Sequence, residues 1–246
     1  MRPRSHIFRN VIKTTAGIFL SGLLLCLAVY GSDAGDKRKQ EERLENAGTV
    51  FSEIMGMPDN IPQSLLDRAK CVIVIPNVVK AAFVIGGTFG RGAMVCRHGE
   101  NFGGAWGAPV MVGLEGASVG FQLGGESTDF VILIMNDRGA SSILESKVKI
   151  GGDISAAAGP VGRTAEASTD AYMRAEMLTY SRARGLFAGV SLDGTTLRPE
   201  KEANEALYGR KIEARDIVRA SDVKAPEAAQ RLLTQLDKAS PNRRGD

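Results

Sequence analysis

The run GGTFGRGAMVCRHGENFGGAWGAPVMVGLEGASVGFQLGG, from Gly86 to Gly125, decides the fold. It holds 13 of the chain's 29 glycines, set among Phe, Val, Met, Trp and Leu. A flexible linker would be rich in Gly and Ser and nearly free of apolar residues. Glycine inside a strand weakens it, so it marks a bulge, a tight bend or a close approach of another backbone. The segment therefore reads as compact, strongly bent β-structure made of short strands.

Strand signals extend outward on both sides. Cys71 to Ile75 is a β-branched run closed by Pro76, followed by Lys80 to Gly87 and Gly92 to Arg97. Pro109 to Leu114, Ala117 to Leu123 and Asp129 to Met135 continue the series. Phe130 to Met135 is apolar throughout, as in a strand buried on both faces. Val148 to Ile154 and Leu178 to Arg182 are further strands. Leu186 to Leu192 and Thr195 to Leu197 read as a hairpin across Asp193-Gly194.

Helical patterns sit towards the ends. Leu44, Ala47, Phe51, Ile54 and Met55 form one stripe stopped by Pro58. Short helices are expected over Pro62 to Lys70, Asp137 to Ser146 and Pro199 to Leu207. Pro226 to Ala239 is amphipathic, with Ala229, Leu232, Leu233 and Leu236 inward. The fold class is therefore α+β: a glycine-rich antiparallel β-sheet or barrel-like core flanked by N- and C-terminal helices.

The N-terminus has the layout of an export signal. Arg2, Arg4, Arg9 and Lys13 precede an uncharged run from Thr14 to Ser32, and small residues follow at Gly31, Ser32 and Ala34. Residues 1–34 are expected to be a signal peptide, or else an N-terminal membrane anchor; lipid attachment at Cys26 is a third option. Residues 35–240 form one domain, and 241–246 a disordered tail. The expected location is exported, periplasmic or membrane-associated.

The whole chain carries 31 Lys and Arg against 28 Asp and Glu. Removing the leader takes four basic residues and Asp33, leaving 27 of each sign. No global field then draws the protein to nucleic acid. Cys71 and Cys96 lie in apolar runs; two buried thiols and a disulfide permitted by export both fit. No Cys/His cluster suggests a metal, and no cofactor is expected.

Chemistry finds little purchase. Gly116-Ala117-Ser118-Val119-Gly120 matches the nucleophile-elbow pattern, but the sequence after Ser118 does not start a helix, and the only later-domain histidine, His98, lies upstream. His98 reads as a solvated turn residue. Trp106 reads as a core ring packed over glycines. No enzyme is expected.

Several blocks, in order, resemble the SYLF domain family, also called the Ysc-type actin-binding or lipid-binding SYLF domain. They are Ala69-Lys70, Gly86-Gly87, Gly90-Arg91-Gly92, Trp106-Gly107-Ala108-Pro109 and Val119 to Gly124. Ala158 to Arg163, Tyr180 to Val190 and Leu207-Tyr208-Gly209 complete the set. Cys71 and Ala108 depart from the family pattern. The resemblance implies a non-enzymatic phospholipid-binding protein of the bacterial cell envelope; the export leader argues against the actin role of eukaryotic relatives. An envelope scaffold with a protein partner is the alternative, and a serine hydrolase using Ser118 the least favoured.

The expected partner is an acidic phospholipid or membrane surface. Lys37, Arg38, Lys39 and Arg43 stand beside the stripe that contains Phe51, the pattern of an interfacial helix, although such a stripe equally packs on a sheet. Lys80, Arg91, Arg97, Arg163, Arg182 and Arg184 are the further lipid-binding candidates.

Overall fold

The computed structural model describes residues 34–82, 85–99, 101–119, 126–161, 174–183, 186–220 and 222–241. The expected leader, apart from Ala34, and Cys26, Arg163, Arg184 and most of the expected tail lie outside them. Among the described residues, no helix is long and apolar enough to cross a membrane.

The centre of the molecule is one nine-stranded sheet. Its strands are β1 (Cys71–Ala82), β2 (Ile85–Cys96), β3 (Val110–Val119), β4 (Glu126–Ile134), β5 (Val148–Lys149), β6 (Ala156–Ala158), β7 (Met177–Ala183), β8 (Leu186–Gly189) and β9 (Thr195–Pro199). Their spatial order is β5-β9-β3-β2-β1-β4-β7-β6, with β8 also pairing β7. All pairings are antiparallel except that of β6 with β7.

Both faces of this sheet are buried, which explains its apolar strands. Cys71, Ile73, Ile75, Phe130, Ile132 and Ile134 belong to one core. The alternate residues Val72, Val74, Val131 and Leu133 belong to the other. The first face is covered by α3 (Asp137–Glu145) and α5 (Ala214–Arg219), through Ile143, Leu144, Ile217 and Val218. The second is covered by α1 (34–55), α2 (Gln63–Leu66), α4 (Lys201–Tyr208) and α6 (Gln230–Ala239). The expected α+β architecture with helices at both ends is the one observed.

The α1 stripe settles inward. Leu44, Ala47, Phe51 and Ile54 are fully buried on the sheet. Gly48 lets α6 come close: a Cβ there would lie 2.9 Å from the Leu232 backbone nitrogen. Asn136 caps α3 by accepting the Gly139 N–H at 2.8 Å, as an N-cap asparagine does.

Pro76 does not end a strand. β1 runs on to Ala82 through an irregularity in its register with both neighbours, and Asn77 there has φ of 52°. Neither Pro76 nor Asn77 takes a register position, so the missing proline N–H breaks no ladder bond. The bulge pushes β1 against β2. A Cβ on Gly92 would sit 2.0 Å from the Val74 carbonyl oxygen, so only glycine fits. β3 likewise continues through Gly116 where two strands were expected.

The Asp193-Gly194 turn forms, with Gly194 at φ 84°, but joins no hairpin. β8 pairs β7, whereas β9 pairs β3 near the opposite edge. α2 covers only four residues, and β5 only two. Cys71 and Cys96 are direct register partners and are joined by a disulfide, resolving the alternative left by their burial.

Candidate functional site

The functional features gather on the α1 face, at one end of the sheet. The ends Ala82 and Ile85, Val119 and Glu126, and Ala183 and Leu186 all lie there by register. α1 crosses this face from the β2–β3 side to β7. Its Arg43 reaches Glu200 at the β9–α4 junction (3.0 Å), and its Glu53 meets Arg182 on β7. The strip between α1 and the strand ends is left uncovered. Val79 and Phe89 occupy it as direct cross-strand partners, 46% and 47% exposed. Leu186 is 77% exposed at the same end, on the opposite face.

Beside this strip opens a groove of about 570 Å³ between α1, β2, β9 and α4, which reaches the end of α3 and the start of α5. Glu200 lies at its floor. Arg43 Nη1 donates to Glu200 Oε2 at 3.0 Å, and Arg91 Nε lies 3.0 Å from Oε1 without hydrogen-bond alignment. Glu200 is 7% exposed, so two cations share one buried carboxylate. Burial pulls the Arg43 guanidinium below its ordinary value, against the attraction of Glu200. Arg91 also stands over the Phe89 ring, 5.2 Å from its centroid, linking groove and apolar strip.

The groove wall is fixed by backbone bonds. Glu200 N–H donates to the Met111 carbonyl at 2.9 Å. Asn204, 1% exposed, accepts the Met111 N–H at 2.8 Å through Oδ1. The Tyr208 hydroxyl donates to the Pro109 carbonyl at 2.6 Å, and burial raises its pKa. Together they clamp α4 to β3.

The sequence candidates disperse. Lys37, Arg38 and Lys39 are exposed on the first turns of α1, and Lys39 also lines the groove. Lys37 and Arg38 face Glu41 and Glu42 one turn on, both at 3.8 Å. Arg43 and Arg91 meet at Glu200. Lys80 sits on β1 opposite Thr88 and Glu126; its side chain is outside the described residues. Phe51 is fully buried, so the expected membrane-inserting stripe is core instead. Arg182 is held by Asp129 (2.6 Å) and Glu53; burial alone would lower its pKa, but these hydrogen bonds raise it.

Arg97 is 4% exposed and turned into the fold. It donates to the Ser240 hydroxyl (2.6 Å) and to the carbonyls of Ala69 and Gly104 (both 3.3 Å). It fastens the end of α6 and does not face a surface ligand. Trp106, 6% exposed, is the core ring its glycines indicated.

The nucleophile-elbow context is not met. Ser118 lies within β3, paired with Gly86, and not at a strand-to-helix turn. His98 sits in a bend, as expected, but is half-buried: its ring packs over Gly107, and Nδ1 is 3.2 Å from the Val218 carbonyl. The sequence missed Gln40, Asn204 and Glu200. For Gln40 and Asn204 the signal was faint, polar residues at otherwise inward-facing helical positions; Glu200, extended just before α4, carried none.

Residues 115–239 match the family described as Ysc84, Las17-binding protein actin regulator. The SH3 domain-containing protein PJ696.02 of Schizosaccharomyces pombe is 38% identical over 198 residues, covering 79% of this chain and 45% of that protein. Protein YSC84 of Saccharomyces cerevisiae is 36% identical over 194 residues, 78% of this chain and 40% of its own. The human SH3 domain-containing YSC84-like protein 1 is 36% identical over 191 residues, 76% of this chain and 54% of its own. This chain thus spans about half the length of these curated relatives. The family match takes in β4, β7 and β9 of the central sheet, the Glu200 floor of the groove and helices α4 and α6, and on that match the chain belongs to the Ysc84, or SYLF, family.

Proposed function

We propose that the protein is a non-enzymatic binder of acidic phospholipid surfaces, acting at the cell envelope after export. The observation that carries this reading is the Val79–Phe89 pair, exposed side by side and bordered by Arg91. An apolar pair of this kind gains by leaving water: full burial of a Val or Phe side chain contributes roughly 1.5–3 kcal/mol. Each cation brought near an acidic surface adds about 1 kcal/mol. The strip offers both terms at one end of the sheet, whereas the α1 stripe is committed to the core.

Co-sedimentation with vesicles tests the reading. Vesicles of phosphatidylglycerol in phosphatidylcholine should retain the protein at moderate salt, and pure phosphatidylcholine should not. Phe89→Ser with Val79→Ser should release most of it. Retention unchanged by this pair of substitutions would refute the proposed surface.

A second reading has support in the family description, which names Las17 binding and actin regulation. On that reading the same exposed strip docks a protein partner of the envelope. It predicts retention of a protein on immobilised wild-type chain, lost in the Phe89→Ser, Val79→Ser variant, with no vesicle binding by either.

A further inference from the structure

The groove beside the lipid-facing strip has a chemistry of its own. At its floor, Arg43 and Arg91 share the single carboxylate of Glu200, leaving one positive charge in excess. Each guanidinium carries five N–H donors. Arg43 directs only Nη1 to Glu200, and Arg91 meets it without a well-aligned bond. Donors therefore remain for an anion with several oxygens. Lys39 and Lys147 also line the groove, and among the described residues neither has an ion-pair partner.

A second observation is independent of charge. Gln40, 5% exposed, lines the same groove. Its Nε2 donates to the Asp36 carbonyl at 3.3 Å, which fixes the amide orientation. Its Oε1 is sealed from solvent and accepts no hydrogen bond from a described residue. A buried acceptor left unmet costs about as much as a lost hydrogen bond. A ligand hydroxyl would satisfy it once the Gln40 side chain turns out towards the groove that it lines.

The rim sets an upper limit on charge. Asp36, Glu145 and Glu202 line the groove, and Lys201 is already paired to Glu213 at 3.1 Å. Carboxylates there accept hydrogen bonds from hydroxyls and repel further anionic groups. A ligand with several phosphates would meet them head-on.

We infer that the groove binds a polyol carrying one phosphate ester, of the glycerol-phosphate class, in preference to polyphosphorylated ligands. The phosphate sits against Arg43 and Arg91, and the hydroxyls reach Gln40 and the acidic rim. The volume of about 570 Å³ leaves ample room for a ligand of this size. The same chemistry is offered by free glycerol phosphate and by a phosphatidylglycerol headgroup. Only the second source rests on the membrane reading above.

The test is calorimetric titration of the purified full chain with glycerol 3-phosphate, inorganic phosphate and inositol hexakisphosphate, with phosphatidylglycerol vesicles in parallel. Glycerol 3-phosphate should bind at least tenfold more tightly than inorganic phosphate. Arg91→Gln should weaken it at least tenfold, and Gln40→Met and Lys39→Gln severalfold each. If instead only vesicle retention falls in these variants, the groove reads the lipid headgroup, and the inference holds. Tighter binding of inositol hexakisphosphate overturns it, as does binding of both probes unaltered by the three substitutions. Lys39 is exposed, so its variant stays folded and keeps the test decisive if Arg91→Gln does not fold. Vesicle retention lost with Phe89→Ser but untouched by Arg91→Gln removes the groove and leaves the membrane surface standing.

Discussion

The Arg97 guanidinium stacks on the Trp106 ring, 4.1 Å from its centroid, and both side chains bond Ser240 just after α6. Trp106 Nε1 donates to the Ser240 carbonyl at 3.1 Å, and the Ser240 hydroxyl donates to Asp67 at 2.7 Å. Residues far apart in sequence thus close one buried polar knot. Trp106→Ala should cost about 3–5 kcal/mol, chiefly through its cavity, because Arg97 still donates to the Ser240 carbonyl at 3.3 Å. Arg97→Met combined with Trp106→Ala should fall short of additivity by about 0.5–2 kcal/mol. Urea unfolding of the two single variants and the double variant checks both values; strict additivity would deny the stacking.

Gly92 and Gly103 belong to the same glycine-rich run but face opposite consequences. A Cβ on Gly92 would lie 2.0 Å from a backbone oxygen of β1, whereas Gly103 has open space. Gly92→Ala must therefore part the two central strands, costing about 1–3 kcal/mol or more. Gly103→Ala should fall within about 0.5 kcal/mol of the parent. Thermal melts of the pair would decide it, and equal melting temperatures would mean that β1 and β2 do not approach as described.

The disulfide closes a sequence separation of 25 residues across β1 and β2. In the chain-entropy account, a loop of that length raises stability by about 3–4 kcal/mol. Both cysteines are fully buried, so a reductant reaches them only after opening. Cys71→Ala with Cys96→Ala should lower stability by that amount. The folded parent should react with a thiol reagent under reducing conditions no faster than it unfolds; rapid reduction of the native state would contradict the burial.

Glu115 and Arg198 pair across β3 and β9 at 2.8 Å, each 39% exposed at the side chain. The hydrogen bond from Arg198 holds the Glu115 carboxyl below its usual range. Its contribution to stability is therefore present above the ordinary Glu value of about 4.3 and is lost as pH falls through the depressed folded value. The pair is largely solvated, so the loss is small. The difference in stability between parent and Glu115→Gln should be greatest near neutral pH and vanish in acid. A difference that persists below pH 3 would assign the effect to packing.

Where strands form was legible because both faces of the sheet are buried. Phe130 to Ile134 had no polar alternation to confuse it with a surface strand. Where strands stop was not legible. Pro76 looked like a terminator because its effect depends on a bulge that skips it in both ladders, a property of neighbours. Asp193-Gly194 made the expected turn, yet which strand β9 joins is decided by the clamp of α4 on β3, some ninety residues away in sequence. The site suffered the same limit. Arg91 and Arg43 were legible as cations, but their shared dependence on Glu200 exists only once α1 lies across β2. Arg97 carries the same side chain with the opposite fate, because Trp106 and Ser240 enclose it.

Residues 36–42 look strongly basic when read as Lys37-Arg38-Lys39, but Asp36, Glu41 and Glu42 leave the segment without net charge. Lys37 and Arg38 each lie within 4 Å of one of those acids. Exposed pairs of this kind contribute about 0–1 kcal/mol and are screened by salt. Their attraction to an acidic surface is offset by the same neighbours. Phe89, by contrast, is half exposed and has Arg91 over its ring, so it presents an apolar group and a cation together. Vesicle retention should therefore change less than threefold in the variant Lys37→Glu, Arg38→Glu, and at least tenfold in Phe89→Ser. Both substitutions fall on exposed side chains, so neither disturbs the core. A reversed ranking in the co-sedimentation assay would return the membrane contact to the start of α1, and take it from the sheet.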